Sequence, residues 1–376
     1  MIDARRGIIT LEDLRDHLQY AIGLELTTIP AYLCALYSIV PGASTAAGEV
    51  IQDVVLEKML HMALAANILN AVGGTPATGA AGGGPVPGYP ATVPFIDAFP
   101  VVHLQTFSPA AIDEFIAIER PAGGAAAGGD AAAGGDAAAG RDRYGPAGAF
   151  YAAIEAGLRA LGTPAVFRHG RQARAGCQLT AENYCGGAGP LIEVTDLDSA
   201  LAAIGEIVRE GEGVLLPGGG TTGSRHARFT EIRAGRYYRP GQVAGDVPAG
   251  DSLPVDWHAV QPMAPDPAAH AYHGTWAYQP MMAFNAAYTA LVDTIYRGFN
   301  GEPMLLREAV PGMYELKYQA TSLLNLPSPA EPGRTLGPAF EYLSLPRRNV
   351  AALVCPQRRG AESGDATERQ VVSGPR

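Results

Sequence analysis

The chain has 376 residues, 47 % hydrophobic and 17 % charged, enough apolar material to bury a sizeable core in one large domain or two. Its formal net charge of −10 argues against nucleic acid and against an anionic membrane as a main partner. Cys34, Cys177, Cys185 and Cys355 make no CxxC pair and read as reduced thiols of a cytoplasmic protein, not as a disulfide framework.

The opening residues MIDARRGIIT carry no signal-peptide core. Thr10, with Asp13 three residues on, is an N-cap for a first helix expected over 10–40. Its apolar stripe runs Leu14, Leu18, Ile22, Glu25, Ile29, Tyr32 and Leu36, at steps of three and four. After the turn PGAS, a second helix is expected over 45–73, with the stripe Val54, Lys58, His61, Ala65, Ile68 and Val72. So short a connection makes the two antiparallel neighbours. Residues 73–100 are Gly/Pro-rich and read as a surface connection. The short amphipathic segment SPAAIDEFIAIE follows. The low-complexity stretch 122–140 buries too little to order itself and is expected to be a flexible loop. Helices are expected at 146–161, at 197–211 and from Ser224 onward. Residues 236–275 read as loop, and helices at 279–299 and 302–325 form a C-terminal hairpin. Residues 1–356 read as a single domain and 357–376 as a disordered polar tail. No uninterrupted apolar run is expected to span a bilayer. The fold class is all-α, because alternating apolar runs of strand length are missing.

Three stripe positions are ionisable. Glu25 on the first helix, and Lys58 and His61 on the second, point into the expected core, where charged groups need partners or a metal. A carboxylate facing a histidine across an antiparallel helix pair is half of a metal site in a helical bundle.

The segments LELTTIPAYLCALYSI and EKMLHMALAANILNAVGGTP resemble the ferritin-like domain of the iminophenyl-pyruvate dimer synthase family. The resemblance continues through FIAIERP, YAAIEAGL, VTDLDSALAAIGEIVREGEG, HARFTEIRAGRYY, FNAAYTALVDTIYRGFNG, AVPGMYELKYQATSLL and LGPAFEYL, covering 10–345. It implies a ferritin-like four-helix bundle with an additional C-terminal hairpin and long loops. It also implies an enzyme of small-molecule biosynthesis, such as one that couples amino-acid-derived imines oxidatively.

A di-iron bundle takes a Glu from each of two helices and a Glu-x-x-His pair from each of the other two. This sequence departs from that pattern twice. Lys58 stands three residues before His61, with Glu57 one position off, and Ala149 fills a slot where the resemblance implies a Glu. The ligands that remain are Glu25, His61, Glu212 and His226. They suit one iron better than two, and the leading expectation is a mononuclear iron oxidoreductase acting on an amino-acid-derived or aromatic substrate. The first alternative has no metal and uses Lys58, Glu57 and Glu25 as the catalytic groups of a cyclase, condensing enzyme or isomerase. The second is a non-catalytic scaffold. The expected partners are a small-molecule substrate and a second copy in a homodimer, with neither nucleic acid nor membrane.

Overall fold

Thr10 caps the first helix as its sequence asks: its side chain accepts from the Asp13 backbone N–H, and the Asp13 carboxylate reaches back to the Thr10 N–H at 2.9 Å. In the computed structural model, residues 2–78, 86–121, 143–212, 214–215, 221–242 and 245–343 are described, with only the backbone given at 212, 214–215 and 221–222. The stretch 122–140, the domain end at 356 and the tail 357–376 lie outside the described residues.

Nine α-helices are found among the described residues. They are α1 Leu11–Ser38, α2 Thr45–Ala71, α3 Pro109–Ile118, α4 Ala147–Leu161, α5 Pro164–Ala173, α6 Leu197–Glu212, α7 Arg225–Ala234, α8 Tyr278–Phe299 and α9 Leu305–Leu324. A two-stranded antiparallel hairpin, β1 Val214–Leu215 and β2 Thr221–Thr222, separates α6 from α7. The fold is all-α, as expected.

Four helices close a ring: α1 packs on α2, α2 on α6, α6 on α4, and α4 on α1. The short helices α3 and α7 pack on each other, and α7 also touches α2 and α6. The C-terminal hairpin α8–α9 leans on the other side, α9 against α1 and α8 against α2. The α1–α2 pair is therefore covered twice. Residues 24–35 of α1 and 60–71 of α2 are buried without interruption, the mark of helices inside a core and not at its surface. No uninterrupted apolar run is found in α1, since Glu25 stands in its middle. By length and hydropathy α1 qualifies as a membrane span, but 83 % of its most apolar stretch is buried inside the protein.

Helix α5 was not foreseen. Only Phe167 and Gly170 of its ten residues are buried, so no apolar periodicity announces it. Its start is nonetheless encoded, with Thr163 as N-cap and Pro164 in the first turn. It crosses the end of α2 so closely that a Cβ on Gly170 would fall 2.0 Å from the Ala71 carbonyl oxygen. That end of α2 is also tied down by Arg15, whose guanidinium donates to the Val72 carbonyl at 2.6 and 2.9 Å.

Candidate functional site

The ring of helices encloses a cluster of ions. Glu25 of α1 is 1 % exposed, and Lys58 and His61 of α2 are 5 % and 0 % exposed. All three were read from the sequence as core-facing, and the structure brings them together. The Lys58 ammonium lies 3.1 Å from Glu25 Oε2 and 3.1 Å from Oε1 of Glu119, the residue that ends α3. His61 Nε2 meets Glu210 Oε2 at 2.9 Å, and its Nδ1 lies 3.7 Å from Glu25 Oε1.

Sequence reasoning missed the remaining members. Arg225, in the first turn of α7, donates from Nε to Glu119 Oε2 at 2.8 Å and reaches His61 Nδ1 at 3.4 Å. Two tyrosine hydroxyls complete the array. Tyr151 of α4 donates to Glu25 Oε1 at 2.5 Å, and Tyr32 of α1 donates to Glu119 Oε1 at 2.6 Å. Glu57, expected as a catalytic group, is held at the rim by Arg228, at 2.6 and 2.8 Å, with Arg225 at 3.7 Å.

One expected ligand stands apart from the cluster, and another cannot be placed. His226 takes no part in the hydrogen bonds or ion pairs of the cluster among the described residues. Its imidazole is half-buried, and burial and Arg120 together lower its pKa. The inward position at this point of α7 belongs to its neighbour Arg225. The side chain of Glu212 lies outside the described residues. On α6 the buried positions are Ala200, Ala203, Ile204 and Ile207, and that phase brings Glu210 inward. Signals for the missed residues existed. Tyr32 is two turns beyond Glu25, Glu119 lies within FIAIERP, and Arg225 follows the N-cap Ser224.

The electrostatics follow from this pairing. Burial pushes the Glu25 carboxyl up, but Lys58, His61 and Arg225 outweigh it and hold the group well below the usual carboxylate range. Burial acts likewise on Glu119, where Arg225, Lys58 and the Tyr32 hydroxyl bring the carboxyl down to about 2. Burial and the adjoining carboxylates push the Tyr32 and Tyr151 hydroxyls far up. Burial pulls Arg225 down, and Glu119, Glu25 and Glu57 more than offset it. Both buried carboxylates are thus ionised at neutral pH, and both tyrosines remain donors.

The donor set does not fit the irons that the resemblance implies. Lys58 sits between the carboxylates of Glu25 and Glu119, where a bridging cation would sit. His61 has Glu210 at one nitrogen and Arg225 at the other. Among the described residues Glu25 Oε2 has no hydrogen-bond donor, only the Lys58 ion pair, and one such oxygen falls short of the three or four ligands a transition metal takes. Among the described residues no three His, Cys, Asp or Glu side chains converge as a metal-holding group. A narrow pocket of about 40 Å³ opens beside the cluster, bordered by Glu25, Lys58, Glu119, Tyr151 and Arg225.

Comparison with known proteins agrees with this architecture. The ferritin-like family profile matches residues 18–234. Dichlorochromopyrrolate synthase of Lentzea aerocolonigenes is 25 % identical over an alignment that covers 92 % of this chain and 38 % of that protein. The chain therefore spans about two fifths of the length of the curated relative it matches. A crystal structure of a ferritin-like protein from Caulobacter vibrioides superposes with a TM-score of 0.57 at 24 % identity, covering 90 % of this chain and 100 % of that one. At that identity the likeness is one of fold.

Proposed function

We propose, since the chain belongs to the ferritin-like family and keeps its bundle without an open ligand set, that it is a metal-independent enzyme of secondary-metabolite biosynthesis. Its expected substrates are small, amino-acid-derived or aromatic compounds. The likeness to a synthase of dichlorochromopyrrolate supports the biosynthetic part of the reading. The observation that carries the metal-independent part is the Lys58 ammonium, 3.1 Å from each of two buried carboxylates.

In this reading Lys58 and Arg225 supply fixed positive charge where a metal-loaded bundle has its cations. Preorganised charge in a dry site is the strongest means a protein has of stabilising a developing anion. A substrate carbonyl or imine entering beside Tyr151 would meet those charges, and the anion formed when water at the pocket mouth takes the neighbouring proton would be held by them. Glu25 and Glu119 are weak bases, because their partners keep them ionised to low pH. They hold the cations and orient the two tyrosine hydroxyls. The reaction class that suits such a site is a non-oxidative condensation, cyclisation or isomerisation.

The test is metal analysis of the purified full-length protein, with product formation followed by mass spectrometry before and after chelation. Iron well below one per chain and turnover insensitive to chelator are expected. Lys58→Glu should raise metal occupancy and abolish native turnover. Two irons per chain in the unmodified protein would overturn the proposal. The narrowness of the pocket favours a second reading, a scaffold in which the ions only replace the metal structurally. Tyr151→Phe separates the two: an enzyme loses turnover with its helical content intact, whereas a scaffold turns over no substrate with either residue.

A further inference from the structure

The other side of α1–α2 has a different character. Between that pair and the hairpin α8–α9 lies a cleft of about 310 Å³, at the lower end of the range for small-molecule pockets. Its wall is nearly all apolar. Met59 and Met62 of α2 and Met313 of α9 belong to it, and methionine is the side chain that adapts most readily to varied shapes. Apolar cavities of this kind stay dry and take up apolar guests.

One feature narrows the guest. Lys317 of α9 is the one charged side chain among the described residues of the wall. It is exposed and makes no ion pair with any described residue. A cation without an ion-pair partner among the described residues, at the edge of an apolar cleft, favours an anion at that spot against the chain's overall negative charge. Tyr288 of α8 is also part of the wall; its ring borders the cleft, while its hydroxyl is buried with no hydrogen-bond partner among the described residues and adds no donor to the cleft. Methionine plasticity and a single cation occur together on one cleft.

We infer that this cleft binds an apolar organic carboxylate, alkyl or aryl, with its body between α1–α2 and the hairpin and its acid group at Lys317. The site is separated from the ion cluster by the thickness of the α1–α2 pair and does not depend on how that cluster works. It also gives the hairpin a role, since α8 and α9 supply one whole wall.

The cleft carries its own reporter. Cys185 is exposed and lines it, while Cys34 and Cys177 are buried. Decanoate and the neutral decanol are titrated calorimetrically into the full-length protein, and alkylation of Cys185 by iodoacetamide is followed by peptide mass spectrometry. One saturable decanoate site per chain is expected, with decanoate binding about fivefold more tightly than decanol, the worth of one exposed ion pair. Decanoate should slow Cys185 alkylation. Lys317→Glu, a surface change that leaves the fold alone, should erase the preference for decanoate over decanol. Leu291→Trp, which fills the cleft, should weaken both ligands at least tenfold. No saturable decanoate binding, no protection of Cys185, or a decanoate preference that survives Lys317→Glu would each overturn the inference. If Leu291→Trp fails to fold, the Lys317 variant and Cys185 protection carry the test alone.

Discussion

The two faces of the α1–α2 pair are both buried, yet by opposite means. On one face Glu25, Lys58 and His61 meet Glu119, Glu210 and Arg225 in a tight array beside about 40 Å³ of free volume. On the other, methionines and aliphatic side chains leave about 310 Å³. Ion pairs fix distance and angle, so little room survives around them. Apolar contacts are non-directional, and a surface made of them tolerates an empty cleft. One helix pair thus carries a face suited to holding charges still and a face suited to accepting a guest.

The largest expected difference between the faces comes from Lys58→Met. It leaves two buried carboxylates with Arg225 as their main cation, and breaking a buried pair from one side costs about 3–5 kcal/mol. Denaturant unfolding measures it. The double variant Lys58→Met with Glu25→Gln should recover part of the loss, because it removes the stranded charge. A loss below about 1 kcal/mol would show that the cluster is wetter than its burial implies.

Next comes acid. Glu119 titrates at about 2 when folded, against an ordinary value of 4.5. A folded pKa below the unfolded one gives stability that is present above pH 4.5 and lost as pH falls towards 2. From Glu119 alone this amounts to about 3 kcal/mol, and Glu25 adds loss in the same direction. Glu119→Gln should flatten the acid limb of a plot of stability against pH.

Tyr151→Phe is expected to cost less, about 1–2 kcal/mol, since it removes one donor from a buried carboxylate oxygen. Glu114 on α3 gives an opposite sign. Burial raises it to about 7, against backbone and charge contributions from His103 that lower it. A raised folded pKa means that the folded state holds its proton longer. Stability from this group therefore falls as pH rises from 4.5 to 7, by on the order of 1 kcal/mol after solvent screening. Glu114→Gln should remove that slope. The smallest effect belongs to the apolar face: Lys317→Glu should change stability by less than about 0.5 kcal/mol, while changing what the cleft binds.

The sequence showed the fold wherever burial is periodic. Helices α1, α2, α4, α6, α8 and α9 were readable because their apolar residues recur at helical steps, and α5 was not because two buried residues make no stripe. The site was readable on the same terms. Glu25, Lys58 and His61 stood out as charges inside apolar stripes. Glu119 and Arg225 did not, because each sits at the edge of a short helix, where burial depends on which other elements dock there. Tyr32 was visible in the α1 stripe, but a packed ring and a hydrogen-bonding hydroxyl look alike there. Glu210 was not singled out, though it continues the buried phase of Ala203 and Ile207 on α6. His226 was expected as a ligand from the resemblance, and its neighbour Arg225 takes the inward position.

The distances along the chain that the cluster bridges bear on the order in which it assembles. Glu25, Lys58 and His61 lie within one helical hairpin, whose contacts are local and form early. Arg225 arrives from 164 residues beyond His61, and Glu119 from 87 beyond Tyr32. Closing spans of that length is slow, and until α3 and α7 dock, the charges of the hairpin must keep their water. Expulsion of that water is therefore a late event on the folding path. Contacts made after the rate-limiting step leave the folding rate nearly unchanged and govern the unfolding rate instead. The ion cluster then acts as a latch: it does little to start the bundle, and it sets how long the bundle, once shut, stays shut.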